Sequence, residues 1–288
     1  MIRRLRSSGR TTRLLVSVAN PTEAAAALAG GADVIDAKDP AAGALGRVDV
    51  GVLAEIHSTT CGRATVTAAL GDASDINRTE RLAAQYASRG ADFVKLGFAG
   101  ITDGRRVDAL LAAAVRGCAL GGRATGVIAV AYADAATVGS IDAVSLVDIA
   151  ARTGARGVLV DTADKQGDGL TTLWTAAQIA SWVAEAQTWG LIAAVAGKLS
   201  ADDIAIAREA GADVVGVRGA ACVGGRTGEV SAARVRVLRA RIDEGAASAG
   251  PRLPSTPDNQ STSAARSSSS APPATTVHAM PGGRAVAK

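Results

Sequence analysis

The sequence predicts an α/β protein built as a single (β/α)8 TIM barrel. Three observations predict it. Eight short apolar runs rich in β-branched residues alternate with helical stretches, and none shows the strict polar alternation of a half-exposed strand. A Gly-Ala pair recurs just before a strand in GGADVIDAK, RGADFVKLG, TGARGVLVDT and AGADVVGVRG, with alanines at 32, 91, 155 and 212. That period of about 60 residues holds two β–α units. Finally, eight units in about 230 residues match the size of a closed barrel, whereas an open doubly wound sheet gives no reason for the even spacing.

The strands follow in order: LLVSV (14–18), DVIDA (33–37), ATVTAAL (64–70), FVKLG (93–97), GVIAVAY (126–132), GVLVDT (157–162), LIAAVAG (191–197) and VVGVRG (214–219). Asn20-Pro21-Thr22-Glu23 supplies a cap, a proline in the first turn and an acid at the third position, which starts a helix. Ser200-Ala201-Asp202-Asp203 is expected to start the helix before strand eight in a similar way. The barrel is expected to span 14–244. A basic arm, 1–13, precedes it, and a Ser/Pro/Ala-rich tail, 245–288, follows; both are expected to be disordered, because they offer too little apolar surface to offset the entropy of ordering.

Charge placement limits the function classes. The formal charge is +4, but residues 14–244 hold 22 basic against 26 acidic side chains, so the excess basicity lies in the two ends. That argues against a nucleic-acid-binding core. The apolar run after the basic arm is too short for a secretory signal, and no stretch approaches the length of a membrane span, so the expectation is a cytoplasmic protein without a membrane partner. Cys61, Cys118 and Cys222 are too scattered for a disulfide framework or a zinc site. The two histidines, His57 on a predicted helix and His278 in the tail, leave no His-based triad and no His-ligated metal. Neither a metal nor another cofactor is expected. The sequence does not determine oligomeric state, and a homo-oligomer is compatible with it.

In such barrels the chemistry sits at the C-terminal ends of the strands. The residues there are Ser17, Asp36, Lys38, Asp72, Lys95, Tyr132, Asp134, Asp161, Lys165, Lys198 and Arg218. Only five of the 31 basic residues are lysines, and the four before the C-terminus (Lys38, Lys95, Lys165, Lys198) all fall in or just after a predicted strand. Arginine takes every helical position where any cation would serve. An amine, unlike a guanidinium, can lose its proton, form an imine or shuttle protons, and converging lysines lower one another's pKa. Asp36, Asp134 and Asp161 would hold the ammonium forms. The loop after strand eight, RGAACVGGRTG, is expected to bind phosphate through Gly219, Gly224 and Gly225 at a helix start, with Arg218, Arg226 and Lys198 adding charge. These residues point to an amine-dependent enzyme acting on a small phosphorylated carbonyl compound.

The motifs LLVSVANPTEA, GGADVIDAKDPAAGALG, ADFVKLGFAG, VAYADAATVGSID, LVDTADKQGDGL and DVVGVRGAACVGG, in this order, resemble the (5-formylfuran-3-yl)methyl phosphate synthase family of methanofuran-type cofactor biosynthesis. The resemblance covers about residues 14–240. It implies a barrel lyase that joins two molecules of glyceraldehyde 3-phosphate into a phosphorylated furan aldehyde, with loss of phosphate and water. It further implies Lys38 as the Schiff-base lysine and Lys95 as the proton acceptor, with Asp36, Asp161 and Lys165 assisting. The chain departs from the usual family pattern at Asp39 and Ala44, in the loop GDASDINRTE after strand three, and at Lys198 in place of a serine. Two other classes share some of these features: a different imine-forming aldolase, and a non-catalytic protein binding an acidic partner through its basic ends.

Overall fold

The computed structural model describes residues 12–248, with side chains through 244. The expectations for residues 1–11 and 249–288 lie outside the described residues.

Eight parallel strands close into a barrel in sequential order: β1 (Arg13–Val18), β2 (Val34–Ala37), β3 (Thr65–Asp72), β4 (Phe93–Gly97), β5 (Gly126–Tyr132), β6 (Gly157–Asp161), β7 (Ile192–Val195) and β8 (Val214–Val217). The ring is sealed where β8 pairs with β1, with Gly216 opposite Leu15. Each strand lies within a residue or two of its sequence-predicted position. The eight long helices are α1 (Pro21–Ala29), α2 (Val50–Thr60), α3 (Ile76–Ser88), α4 (Gly104–Leu120), α5 (Ala143–Thr153), α6 (Ala176–Thr188), α7 (Asp203–Glu209) and α8 (Ala232–Ser248). The first strand thus begins at Arg13, inside the expected arm, and the last helix runs past the expected boundary at 244. No helix among the described residues is long and apolar enough to cross a membrane.

The Gly-Ala repeat has a structural cause. Gly31, Gly90, Gly154 and Gly211 each stand at left-handed φ, between +81° and +106°, just past a helix end. The following alanine N–H then reaches five residues back: Ala32 to Ala27, Ala91 to Tyr86, Ala155 to Ala150 and Ala212 to Ala207. This double reversal caps the last carbonyls and turns the chain into the next strand; an L side chain at the left-handed position would clash with its own backbone. In three of the four repeats the next residue is aspartate, whose carboxylate accepts an N–H from the preceding strand: Asp33 from Leu14, Asp92 from Val66 and Asp213 from Ala193. The repeat is therefore a helix stop and a strand brace in one.

Helix starts follow the expected rules at α1, where Asn20 Oδ1 accepts from the Glu23 N–H behind Pro21. At α7 the capping differs. Ser200 and Asp203 bond each other reciprocally, the Asp203 carboxylate taking the Ser200 N–H and hydroxyl, so the helix begins at Asp203 rather than directly after Ser200.

Strand parity divides the apolar residues into two cores. Outward positions such as Leu14, Val16, Ile35, Val66, Val94, Ala129, Val158 and Val215 pack under the helices. Inward positions such as Leu15, Val34, Phe93, Ile128, Leu159, Ile192 and Val214 fill the barrel. With aromatics at only 2% of the chain, helices approach one another closely over small residues. Gly117 of α4 lies against the Glu80 carbonyl oxygen and the Ala83 methyl of α3, and a Cβ placed there would be well inside contact distance of both. Gly117→Ala should therefore destabilise the fold by about 1–3 kcal/mol through overpacking. Helix propensity alone predicts a gain of about 1 kcal/mol. The sign of the change in urea unfolding decides between them.

Candidate active site

Parity also builds the site. Ser17 on β1, Asp36 on β2 and Thr67 on β3 are register partners, so the three side chains enter the barrel at one level. Two residues below them the same strands present Leu15, Val34 and Thr65. Ser17, Asp36 and Thr67 thus form a polar layer at the mouth, above the apolar side chains of Leu15, Val34, Phe93 and Ile128. A cavity of about 590 Å³ opens at the C-terminal ends of the strands, and Lys38, Lys95, Asp161, Lys165 and Thr67 all line it. Its depth comes from small inward residues: Ala194 and Gly216 leave space that larger side chains would fill.

Asp36 is fully buried. Its Oδ2 accepts from Lys95 Nζ (2.6 Å) and Ser17 Oγ (2.8 Å), and its Oδ1 accepts from Thr67 Oγ1 (2.6 Å). Burial pushes its pKa up, but the Lys95 and Lys38 cations and the hydrogen bonds more than offset this and hold it below the usual carboxylate value. A second pair forms at β6, where Lys165 Nζ donates to Asp161 Oδ1 (2.7 Å), to the Thr162 carbonyl (2.5 Å) and to Thr162 Oγ1 (3.2 Å). Asp161 is also held below its usual value: burial raises it, while Lys165, Lys38 and the Thr162 N–H outweigh burial.

Lys38 differs from both. It is buried and lines the cavity, yet its Nζ has no hydrogen-bond or ion-pair partner among the described residues. Burial and the Lys95 cation bring its pKa down from 10.5 to about 8, with Asp161 and Asp36 resisting and Lys165 adding to the fall. An amine of that kind is partly neutral near physiological pH and faces open space, which suits attack on a carbonyl.

The residues expected to bind phosphate fall in different surroundings. Arg218 is buried, and all five of its N–H directions are used. They go to Glu23 (2.5 and 3.0 Å) and to the carbonyls of Ser17, Arg226 and Gly228. It holds the end of β1 to the loop after β8. That loop does not run straight into a helix. Gly219–Ala221 form a single 3-10 turn, and a small hairpin of β9 (Cys222–Val223) and β10 (Glu229–Val230) intervenes before α8. Gly219 lines the cavity, whereas Gly224 and Gly225 sit in the hairpin turn at φ +81° and do not. Lys198 is exposed at left-handed φ (+58°), and its Nζ donates to the Gly167 carbonyl. Asp39 caps the 3-10 turn at Pro40–Ala42 by accepting from the Ala41 N–H.

Two contacts escaped the sequence reasoning. Thr67, a hydroxyl in the run ATVTAAL, was legible only as an odd polar residue in an apolar strand. Tyr132 Oη donates to Asp72 Oδ1 (2.7 Å), and burial, then Asp72, pushes the phenol pKa well up. Gly97 permits this bond, since a Cβ there would strike both oxygens. Among the described residues, no group of three or more His, Cys, Asp or Glu comes together that could hold a metal ion.

With this geometry in view, comparison with known proteins is decisive. The sequence model described as 4-HFC-P synthase matches residues 14–239. The chain belongs to this family. It is 36% identical over 233 residues to the (5-formylfuran-3-yl)methyl phosphate synthase of Methanothermobacter thermautotrophicus, an alignment covering 80% of this chain and 98% of that protein. To the synthase of the same description from Methanocaldococcus jannaschii it is 38% identical over 213 residues, covering 74% and 91%. Among solved structures, KGPDC from Streptococcus mutans superposes with a TM-score of 0.58 at 16% identity, covering 81% of this chain and 98% of that one. A 3-hexulose-6-phosphate synthase superposes at 0.53 and 20% identity, covering 80% and 100%. At these identities the structural likeness is one of fold.

In this 4-HFC-P synthase family member, Asp36→Asn would leave the buried Lys95 ammonium without a counter-charge. Loss of one partner of a buried pair costs about 3–5 kcal/mol. Urea unfolding of the variant should show that loss, against less than about 1 kcal/mol for Lys198→Ala, whose side chain is exposed.

Proposed function

We propose that the protein is a (5-formylfuran-3-yl)methyl phosphate synthase, a carbon–oxygen lyase acting on glyceraldehyde 3-phosphate through a Schiff base at Lys38. The observation that carries this is the amine of Lys38, which faces the cavity without a partner among the described residues, beside two lysines that each have a carboxylate. Family membership and the position of all these groups at one barrel mouth support it.

The neutral amine of Lys38 adds to the aldehyde carbon of one triose to give a carbinolamine. Lys95, an ammonium in its pair with Asp36, donates a proton to the departing hydroxyl, which leaves as water while the nitrogen lone pair forms the protonated imine. Lys95 is then a neutral amine, and it takes the proton from the adjacent carbon to leave an enamine. Asp36, fixed by Ser17 and Thr67, keeps Lys95 aimed through both steps. Lys165 and Asp161 stand ready to move protons to and from oxygens of the second triose. The enamine expels phosphate and becomes an unsaturated imine. The second triose, as its enol, forms the carbon–carbon bond at the carbon that lost phosphate. Ring closure and dehydration follow, and hydrolysis of the imine frees the aldehyde. Two trioses give one furan aldehyde phosphate, one phosphate and two waters.

The test is to incubate the protein with glyceraldehyde 3-phosphate alone and follow ultraviolet absorbance and released phosphate. A furan-aldehyde band with matching phosphate should appear, and Lys38→Arg should lower the rate by at least about a thousandfold. A band that survives in Lys38→Arg would rule out the imine. Borohydride trapping at Lys38 should fall with acidity below about pH 8 and level off above it, because only the free amine adds. Trapping that keeps rising towards pH 10.5, the ordinary lysine value, would show the amine to be unperturbed.

A further inference from the structure

The hairpin after β8 projects one further cation over the mouth. Arg226 lines the cavity, and its guanidinium crosses the end of β1 to the loop after β2, where it donates to the carbonyl oxygens of Pro40 and Gly43. This loop follows Lys38 directly. Arg226 lies in the hairpin turn and Arg218 just before the hairpin, and their surroundings differ. Arg218 has a buried carboxylate partner in Glu23, and every N–H it owns is used. Arg226 has no carboxylate in contact among the described residues and rests on two neutral carbonyls. Burial depresses its pKa, and Asp161 and Asp39 oppose that fall through their fields. A guanidinium stays charged in a protein, so this is a cation held by weak partners at a cavity wall.

A charged oxygen attracts a guanidinium more strongly than a neutral carbonyl does, and a phosphate matches its planar fork. Gly43 (φ +100°) in the β2 loop and Gly225 (φ +81°) beside Arg226 each have open space where a side chain would lie, so nothing packs over the link at these two points. We propose that Arg226 selects the phosphorylated substrate, exchanging the Pro40 and Gly43 carbonyls for the phosphate of the triose whose aldehyde reaches Lys38. The inference rests on the imine at Lys38 proposed above, and of the two arginines expected to meet phosphate it keeps Arg226 and gives Arg218 a structural part. Arg218 is a positioning residue that holds the Arg226 and Gly228 carbonyls and so aims the hairpin.

The experiment measures borohydride trapping at Lys38, by mass, at low concentrations of glyceraldehyde 3-phosphate and of glyceraldehyde. Wild type, Arg226→Ala and Arg226→Lys are compared. Arg226→Ala should lower trapping of the phosphorylated triose about 10- to 100-fold, the worth of one charge-assisted contact, and leave trapping of glyceraldehyde unchanged. Arg226→Lys should recover part of the difference, since it keeps the charge but not the fork. Equal losses with both trioses in Arg226→Ala would mean that Arg226 only braces the β2 loop, and unaltered discrimination would mean that phosphate is held elsewhere; either overturns the proposal. Trapping of neither triose in wild type is a separate result: it would sink the imine at Lys38, and this inference with it.

Discussion

A carboxylate with no access to water must be surrounded by donors, and the site is arranged around that requirement at Asp36. Three strands contribute to it. Ser17 and Thr67 come from its neighbours on either side, and Lys95 reaches over from β4. Together they give each carboxylate oxygen at least one donor that burial would otherwise deny it. The consequence for chemistry is division of labour. Because Lys95 is committed to Asp36 and Lys165 to Asp161, Lys38 is left without a partner among the described residues, and burial together with the Lys95 cation lowers its pKa.

That arrangement depends on parity. On β1, β2, β4 and β6 the inward positions pass from Leu15, Val34, Phe93 and Leu159 deep in the barrel to Ser17, Asp36, Lys95 and Asp161 at its mouth, and the outward positions pack under the helices. A one-residue slip of β2 would send Asp36 and Lys38 into the helix layer and bring Ile35 and Ala37 inside. The braces from Asp33, Asp92 and Asp213 oppose such slips, because each ties a strand start to an N–H near the start of its neighbour. The residues that terminate helices and those that set register are thus contiguous, and they lie at the opposite end of the barrel from the lysines.

The loops above the mouth obey a different constraint. Arg218 gathers the end of β1, Glu23 at the start of α1 and two carbonyls of the hairpin into one buried cluster. Glu23 serves twice, since it also accepts the Ala19 N–H before α1. The hairpin is consequently fixed at its base, and its turn carries Arg226 over the cavity. A rigid base and a weakly held cation at the tip are what a binding loop needs.

Strand positions, helix stops and the location of lysines were legible in the sequence alone. They are local properties: a β-branched run, a glycine that must take left-handed φ, an amine placed just past a strand. Asp36, Lys38, Lys95, Asp161 and Lys165 could be gathered at one mouth once the barrel was recognised, because strand ends converge there by topology. What the sequence could not supply is which lysine is paired and which arginine is spent. Lys95 and Asp36 lie 59 residues apart, and Arg218 and Glu23 lie 195 apart. Such partnerships are decided by which strands become neighbours and by how deeply each side chain is buried. Only the closed barrel brings those distant groups within a hydrogen bond of one another, and among the described residues it leaves Lys38 without a partner.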